Sequence, residues 1–145
     1  MTNRLLTIAV AALFLAACET PKVTKDEMDA VNYGPAPVLW KEEIRSWLNL
    51  RLRDPKDAMV DFRTEPKQMF QRQIGLDPQV HGWAVCVWVR DKNRQGVFDD
   101  MYPMTVFLRN EKIVAVNNGP DNFGPSGPLY ARQQCKELGA PFPDK

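Results

Sequence analysis

Residues Gly82 to Asp91 read Gly-Trp-Ala-Val-Cys-Val-Trp-Val-Arg-Asp, and how this stretch is paired and covered decides the fold. In a strand, alternation puts Trp83, Val85, Val87 and Val89 on one face and Ala84, Cys86, Trp88 and Arg90 on the other. Both sets are largely apolar. A strand with water on one side keeps that side polar, so this one is expected to be central and covered on both faces.

On its C-terminal side, Lys92 to Tyr102 is polar and carries Asn93 and Gly96, the chemistry of a turn or a long hairpin loop. Met104 to Arg109 is expected to form the next strand. Asn110-Glu111 then makes a tight reversal and Lys112 to Val116 returns, which gives an antiparallel meander. Asn117 to Pro128 (NNGPDNFGPSGP) is too rich in Gly, Pro and Asn for anything but a loop. Leu129 to Leu138 has helical character, carries Cys135, and is stopped by Gly139 and Pro141.

On the N-terminal side, Trp40, Ile44, Trp47, Leu48 and Arg51 form one stripe of a helix expected over Val38 to Arg53. Pro37 suits its first turn and Pro55 bars its continuation. Two Trp on the stripe point to a bulky core contact rather than to ligand stacking. Met59 to Thr64 is expected to be a further strand. Pro66 to Pro78, with Met69, Phe70 and Ile74, fits either an irregular strand or a loop. The sum is an α+β domain over residues 37–145: a small antiparallel sheet of three to four strands, one helix before it and a short helix after it.

Composition sets outer bounds. The chain has 145 residues, 44% hydrophobic and 26% charged, as one ordinary globular domain does. A mean hydropathy of -0.39 excludes a polytopic membrane protein. Nineteen Lys and Arg against eighteen Asp and Glu exclude a strongly basic nucleic-acid binder, and no nucleic-acid partner is expected. His81 is the single histidine and reads as a surface or loop-edge residue. The adjacent acids Glu42-Glu43 and Asp99-Asp100 read as solvated faces. Motifs for zinc proteases, serine hydrolases, P-loops and EF-hands are missing. The oxygen-rich loop after Asn117 lacks the spaced acids of a calcium loop. No catalytic residue, metal site or cofactor is therefore expected, and the chain reads as a non-enzyme.

The first segment reads as an address. Arg4 precedes an uncharged apolar run, Leu5 to Leu15, of about 11 residues, where a membrane span needs roughly 20. The run ends in Leu15-Ala16-Ala17-Cys18, which resembles the bacterial lipobox. In that motif the small residues fit the peptidase and the thiol takes a thioether-linked diacylglyceride. Residues 1–17 are then a signal peptide, Cys18 is the lipidated N-terminus, and 18–36 is a flexible tether. Each buried acyl methylene contributes about 0.8 kcal/mol, so such an anchor holds firmly. Glu19 stands where an Asp would favour inner-membrane retention, so the outer membrane, on the side facing the periplasm, is expected.

Lipidation of Cys18 leaves Cys86 and Cys135, an even pair in an oxidising compartment, and a disulfide between them is expected. A redox or metal pair would call for a C-x-x-C spacing or more than one His. Bonding would lay the C-terminal helix over the Ala84, Cys86 and Trp88 face.

Several short stretches line up with one group. Tyr33-Gly34-Pro35-Ala36-Pro37, Asp54-Pro55 with Ala58, Gly82-Trp83 with Val85-Cys86-Val87, Lys92-Asn93 with Gly96, and Val106-Phe107-Leu108-Arg109 span most of the domain. They resemble the YGPxP, DPxSA, GWxVCV and KNxxG pattern of small, uncharacterised proteobacterial envelope lipoproteins. The chain departs at Val97-Phe98-Asp99-Asp100, where such proteins tend to carry Gly-Tyr-Thr-Gly, and at Asn110-Glu111, where Asp-Gly is usual. The resemblance implies fold and address, and no activity. The expected function is a non-enzymatic structural or partner-binding module at the membrane surface. Its partner would be an envelope protein or peptidoglycan, met at an edge formed by Phe98, Asp99, Tyr102 and Phe123. The alternative is a lipid-anchored inhibitor or accessory subunit of a periplasmic hydrolase, with the loop after Asn117 as the plug.

Overall fold

The structure is a computed structural model that describes residues 23–73, 76–121 and 127–144, so Cys18, the expected signal segment and Phe123 lie outside the described residues. The elements in chain order are α1 (Lys25–Asp29), α2 (Trp40–Asn49), β1 (Met59–Phe62), β2 (Lys67–Gln71), β3 (Val80–Arg90), β4 (Tyr102–Arg109), β5 (Lys112–Asn117) and α3 (Gly127–Glu137). The α+β architecture is as expected. Among the described residues, no helix is long and apolar enough to cross a membrane.

The Gly82 to Asp91 stretch lies almost wholly in β3, the central strand. β4 runs antiparallel along one side of it. The other side is shared: β1 pairs with Val87 to Arg90, and β2 pairs with Val80 to Ala84. Five strands thus fill four positions, and the segment Pro66 to Pro78, open between strand and loop in the sequence, supplies β2. Where β1 passes to β2 the register slips, from Phe62 opposite Val87 to Lys67 opposite Ala84. The gap is bridged locally. The Arg63 N–H donates to the Cys86 carbonyl at 2.9 Å, and the Cys86 N–H donates to the Thr64 hydroxyl at 3.0 Å. A side-chain oxygen therefore completes the ladder of the central strand where an edge carbonyl is out of place.

Both faces of β3 are covered. Val85, Val87 and Val89 pack with Met104, Val106 and Leu108 under the α2 stripe of Trp40, Ile44 and Leu48. Ala84, Cys86 and Phe107 pack on the opposite face with Cys135 and Leu138. The Cys86–Cys135 disulfide is formed, with Cα atoms 5.1 Å apart, and it fastens α3 to the expected face. Beside it, the buried Asn117 amide donates to Gln71 at 2.7 Å and to Gln134 at 2.8 Å, and Gln134 donates to Gln71 at 2.9 Å. This amide cluster ties β2, β5 and α3 together.

The β4–β5 reversal is the two-residue turn expected, with φ of 51° at Asn110 and 61° at Glu111. α2 has no side-chain cap of its own. The Glu111 carboxylate supplies one from 72 positions away, accepting from the Val38 N–H at 2.7 Å and the Leu39 N–H at 3.2 Å.

The tether reading is corrected for residues 23–36. Thr24 and Glu27 form a reciprocal capping box on α1, and Glu27 pairs with Arg72 at the end of β2. Tyr33 is buried edge-on to His81, and the Trp83 indole N–H donates to the Gly34 carbonyl at 3.2 Å. A half-buried indole needs an acceptor and a tyrosine ring needs cover, so this segment packs on the domain instead of hanging free.

Candidate functional site

The connection between β3 and β4 is wound by its own residues. The Asn93 side-chain oxygen accepts from the Gln95 N–H at 2.9 Å and the Val97 N–H at 3.1 Å, so it acts as a surrogate backbone carbonyl. Gly96 sits at φ +78°, a conformation glycine adopts without strain. The Gly96 N–H donates back to the Asn93 carbonyl at 3.1 Å, and Lys92 bridges Phe98.

This turn is docked onto the segment that follows α2. The Asp91 carboxylate accepts from three backbone groups: the Arg53 N–H at 2.8 Å, the Lys92 N–H at 2.8 Å and the Asp54 N–H at 3.4 Å. Lys92 reaches the Asp54 carboxylate at 3.0 Å and also binds Asp57. Asp54 accepts in turn from the Ala58 N–H at 2.9 Å through its carbonyl. The Lys92 hydrogen bond holds the Asp54 carboxyl below its ordinary range. The Asp57 and Asp54 bonds push the Lys92 ammonium up. The Asp54-Pro55 turn and the Lys92-Asn93 turn, far apart in sequence, thus form one body.

Between them lies a cavity of about 320 Å³ lined by Arg51, Arg53, Asp91, Arg94, Asp99 and Tyr102, with Lys92, Asn93 and Pro120. Of the expected contact edge, Asp99 and Tyr102 line this cleft, Phe98 does not line it but packs against Lys92, which does, and Phe123 is not described. Phe98 is gripped by Arg90 at 5.1 Å and Lys92 at 5.3 Å from its ring centre, while the Arg90 Nε donates to the Asp99 carbonyl at 3.0 Å. Burial, and then the charge of Asp91, push the Tyr102 phenol up to about 12, so it stays protonated and able to donate.

A second groove of about 520 Å³ adjoins the first, with Arg51 lining both. Trp47 forms one wall; Ile113 to Val116 and Gly119 form the other. The Arg51 guanidinium lies 4.2 Å over the Trp47 ring and 2.9 Å from Asp121. A Cβ at Gly119 would come within 2.8 Å of Val116 and 3.0 Å of Trp47, which keeps this wall glycine. The sequence showed Trp47 and Arg51 only as members of a core stripe. Arg53 and Arg94 gave no signal there, because isolated arginines look alike on any solvated surface.

His81, expected at a surface or loop edge, lies half-buried between Phe70 and Tyr33. Burial, helped by the Arg109 charge, lowers its pKa. Its Nε2 accepts from Arg109 at 2.6 Å, so the ring is neutral and serves packing. Among the described residues, no group of three or more His, Cys, Asp or Glu is arranged to hold a metal. Comparison with protein-family models, curated proteins and solved structures gives no match to the chain.

Proposed function

We propose that the chain is a bacterial envelope lipoprotein, anchored at the outer membrane through Cys18, whose domain binds a partner without catalysing a reaction. The observation that supports it best is the fully buried Cys86–Cys135 disulfide. Structural disulfides belong to exported proteins. Their pairing leaves Cys18 as the single remaining thiol, at the end of the apolar run from Leu5 to Leu15. The partner, an envelope protein or peptidoglycan, meets the cleft bounded by Asp99 and Tyr102, together with Phe98, which packs against the cleft residue Lys92.

The test has two arms. Mass spectrometry of the native N-terminus should find Cys18 carrying acyl chains, and Cys18→Ser should move the protein from the membrane fraction to the soluble periplasm. A photo-crosslinker at Phe98 should capture one reproducible partner, and one at Lys41 should not. An intact leader with free thiols overturns the address. A capture pattern equal at the two positions overturns the contact face. Capture of a periplasmic hydrolase would move the reading to an inhibitor or accessory subunit.

A further inference from the structure

We propose that the cleft takes a carboxylate of an acidic peptide, gripped by Arg53 and Arg94, while an adjoining apolar residue of that peptide lies in the groove beside Trp47. The proposal rests on the reading of this cleft as the partner-contact face, and it names what the partner presents.

Charge accounting carries it. Of the cations that line the cleft, Arg51 is paired with Asp121 at 2.9 Å, and Lys92 is held by Asp54 and Asp57. Arg53 and Arg94 have no carboxylate partner among the described residues, and both are exposed. Of the two acids on the wall, Asp91 is turned to three backbone N–H groups, which orient it and leave its charge in place. Asp99, exposed, accepts from the Asn93 amide at 3.2 Å. A visitor therefore meets two guanidinium forks that no described carboxylate holds and a protonated Tyr102 hydroxyl, on a wall where Asp91 and Asp99 keep their charge.

The shape of that surplus selects the ligand. A guanidinium fork matches a planar carboxylate with two parallel hydrogen bonds. A doubly charged phosphate would meet the Asp91 and Asp99 carboxylates on the same wall, and its repulsion grows with its charge. The groove next door is a different environment, in which Trp47, Ile113 and Val116 are joined by the Arg51–Asp121 pair, whose guanidinium lies 4.2 Å over the Trp47 ring. Because Arg51 borders both spaces, one extended chain can lay an acidic side chain in the smaller and an apolar one in the larger. The walls are set in advance by the Asn93 turn and the Asp91 bonds, so little ordering is left for binding to supply.

The experiment uses the full chain in a zwitterionic detergent, with nitrogen-15 labelling, at low salt. The probe is a Leu-Leu-Glu-Glu peptide, N-acetylated and C-amidated so that its side chains carry its only carboxylates, and the glutamine peptide is blocked in the same way. Saturable shifts of the Arg53, Arg94 and Tyr102 amides are expected. The double variant Arg53→Gln/Arg94→Gln should weaken binding about tenfold or more, and Arg53→Lys/Arg94→Lys, which keeps charge but loses the forks, should fall between. Lys41→Gln, which lies outside the cleft, should bind as the parent does. Leu-Leu-Gln-Gln should bind about tenfold more weakly. The proposal is overturned by shifts that do not saturate, by equal binding to a well-folded double glutamine variant, or by equal binding of the glutamine peptide. Displacement by inorganic phosphate at the peptide's own concentration would overturn the choice of carboxylate. Peptide binding without a captured partner would sink the partner-contact reading alone, and a captured partner without peptide binding would sink the carboxylate alone.

Discussion

Glu111 offers the sharpest test of how this fold is held, because two opposing terms meet on one residue. It occupies the second position of the β4–β5 turn at φ 61°, where a side chain costs about 1 kcal/mol relative to glycine. Its carboxylate accepts from the Val38 and Leu39 N–H groups at 2.7 and 3.2 Å, at the positive end of α2. Such a cap contributes about 1 kcal/mol, and its charge adds about 0.3–1 kcal/mol through the helix dipole. Glu111→Ala removes the cap and keeps the strain, so it should destabilise by about 1–2 kcal/mol. Glu111→Gly removes the cap and the strain together, so it should cost about 1 kcal/mol less than alanine. Glu111→Gln keeps an acceptor and loses the charge, and should cost about 0.3–1 kcal/mol. Urea unfolding with the disulfide intact gives all three from the midpoint at constant slope. The order from most to least stable should be the parent, then glutamine and glycine close together, then alanine. If alanine equals the parent, the long-range cap is not holding α2. If glycine is no more stable than alanine, the turn carries no strain and the reasoning fails.

Three further outcomes follow from particular contacts. Replacing Cys86 and Cys135 together by Ala should cost about 4 kcal/mol by the chain-entropy relation for a loop of 49 positions, read as a fall in the urea midpoint; a fall of less than about 1 kcal/mol would mean that the bond strains the native state. The Glu27 carboxyl is held at about 2 by Arg72 and by Thr24, against an unfolded value of 4.5. Its contribution is therefore full above pH 4.5 and lost as pH falls toward about 2. Glu27→Gln should lower thermal stability at pH 7 and leave it unchanged near pH 2, and a pH-independent gap would refute the pairing. Gly82→Ala would place a Cβ 2.6 Å from the Leu108 carbonyl oxygen, a backbone atom that cannot swing aside; thermal melting should show a loss of about 1–3 kcal/mol, and a neutral result would show that β3 and β4 can separate at that point.

Much of the fold could be read because its central strand carries its instructions locally. The alternation from Trp83 to Arg90 assigns each side chain to a face, and Cys86 on one face then places Cys135 and α3. Strand β2 could not be read in the same way. Its buried residues are Met69 and Gln71, and Gln71 is buried because Asn117 and Gln134, both distant in sequence, meet its amide. A glutamine at that position looks solvent-facing until its partners are known. The segment around Tyr33 was missed for a related reason. Its composition is that of a linker, but the Trp83 indole and the His81 ring give it something to pack on.

The candidate site was half legible, and the division has a physical cause. Asn93 and Gly96 announce a turn in the sequence, and Asp54-Pro55 announces another, because turn chemistry is local. Their union is not local. It depends on Asp91, whose carboxylate accepts from backbone N–H groups of both turns and so joins them. In sequence Asp91 is one acid among eighteen Asp and Glu. In the fold it is the reason that Arg53 and Arg94, borne on separate turns, line one wall with neither guanidinium ion-paired among the described residues. Val97 to Asp100 follow directly on Gly96 and are held to this frame through backbone groups, the Val97 N–H by the Asn93 side chain at 3.1 Å and the Asp99 N–H by the Asp91 carbonyl at 2.9 Å. A frame held by backbone hydrogen bonds lets those four positions change without moving the cleft, and it is at such positions that two proteins of one fold can come to hold different partners.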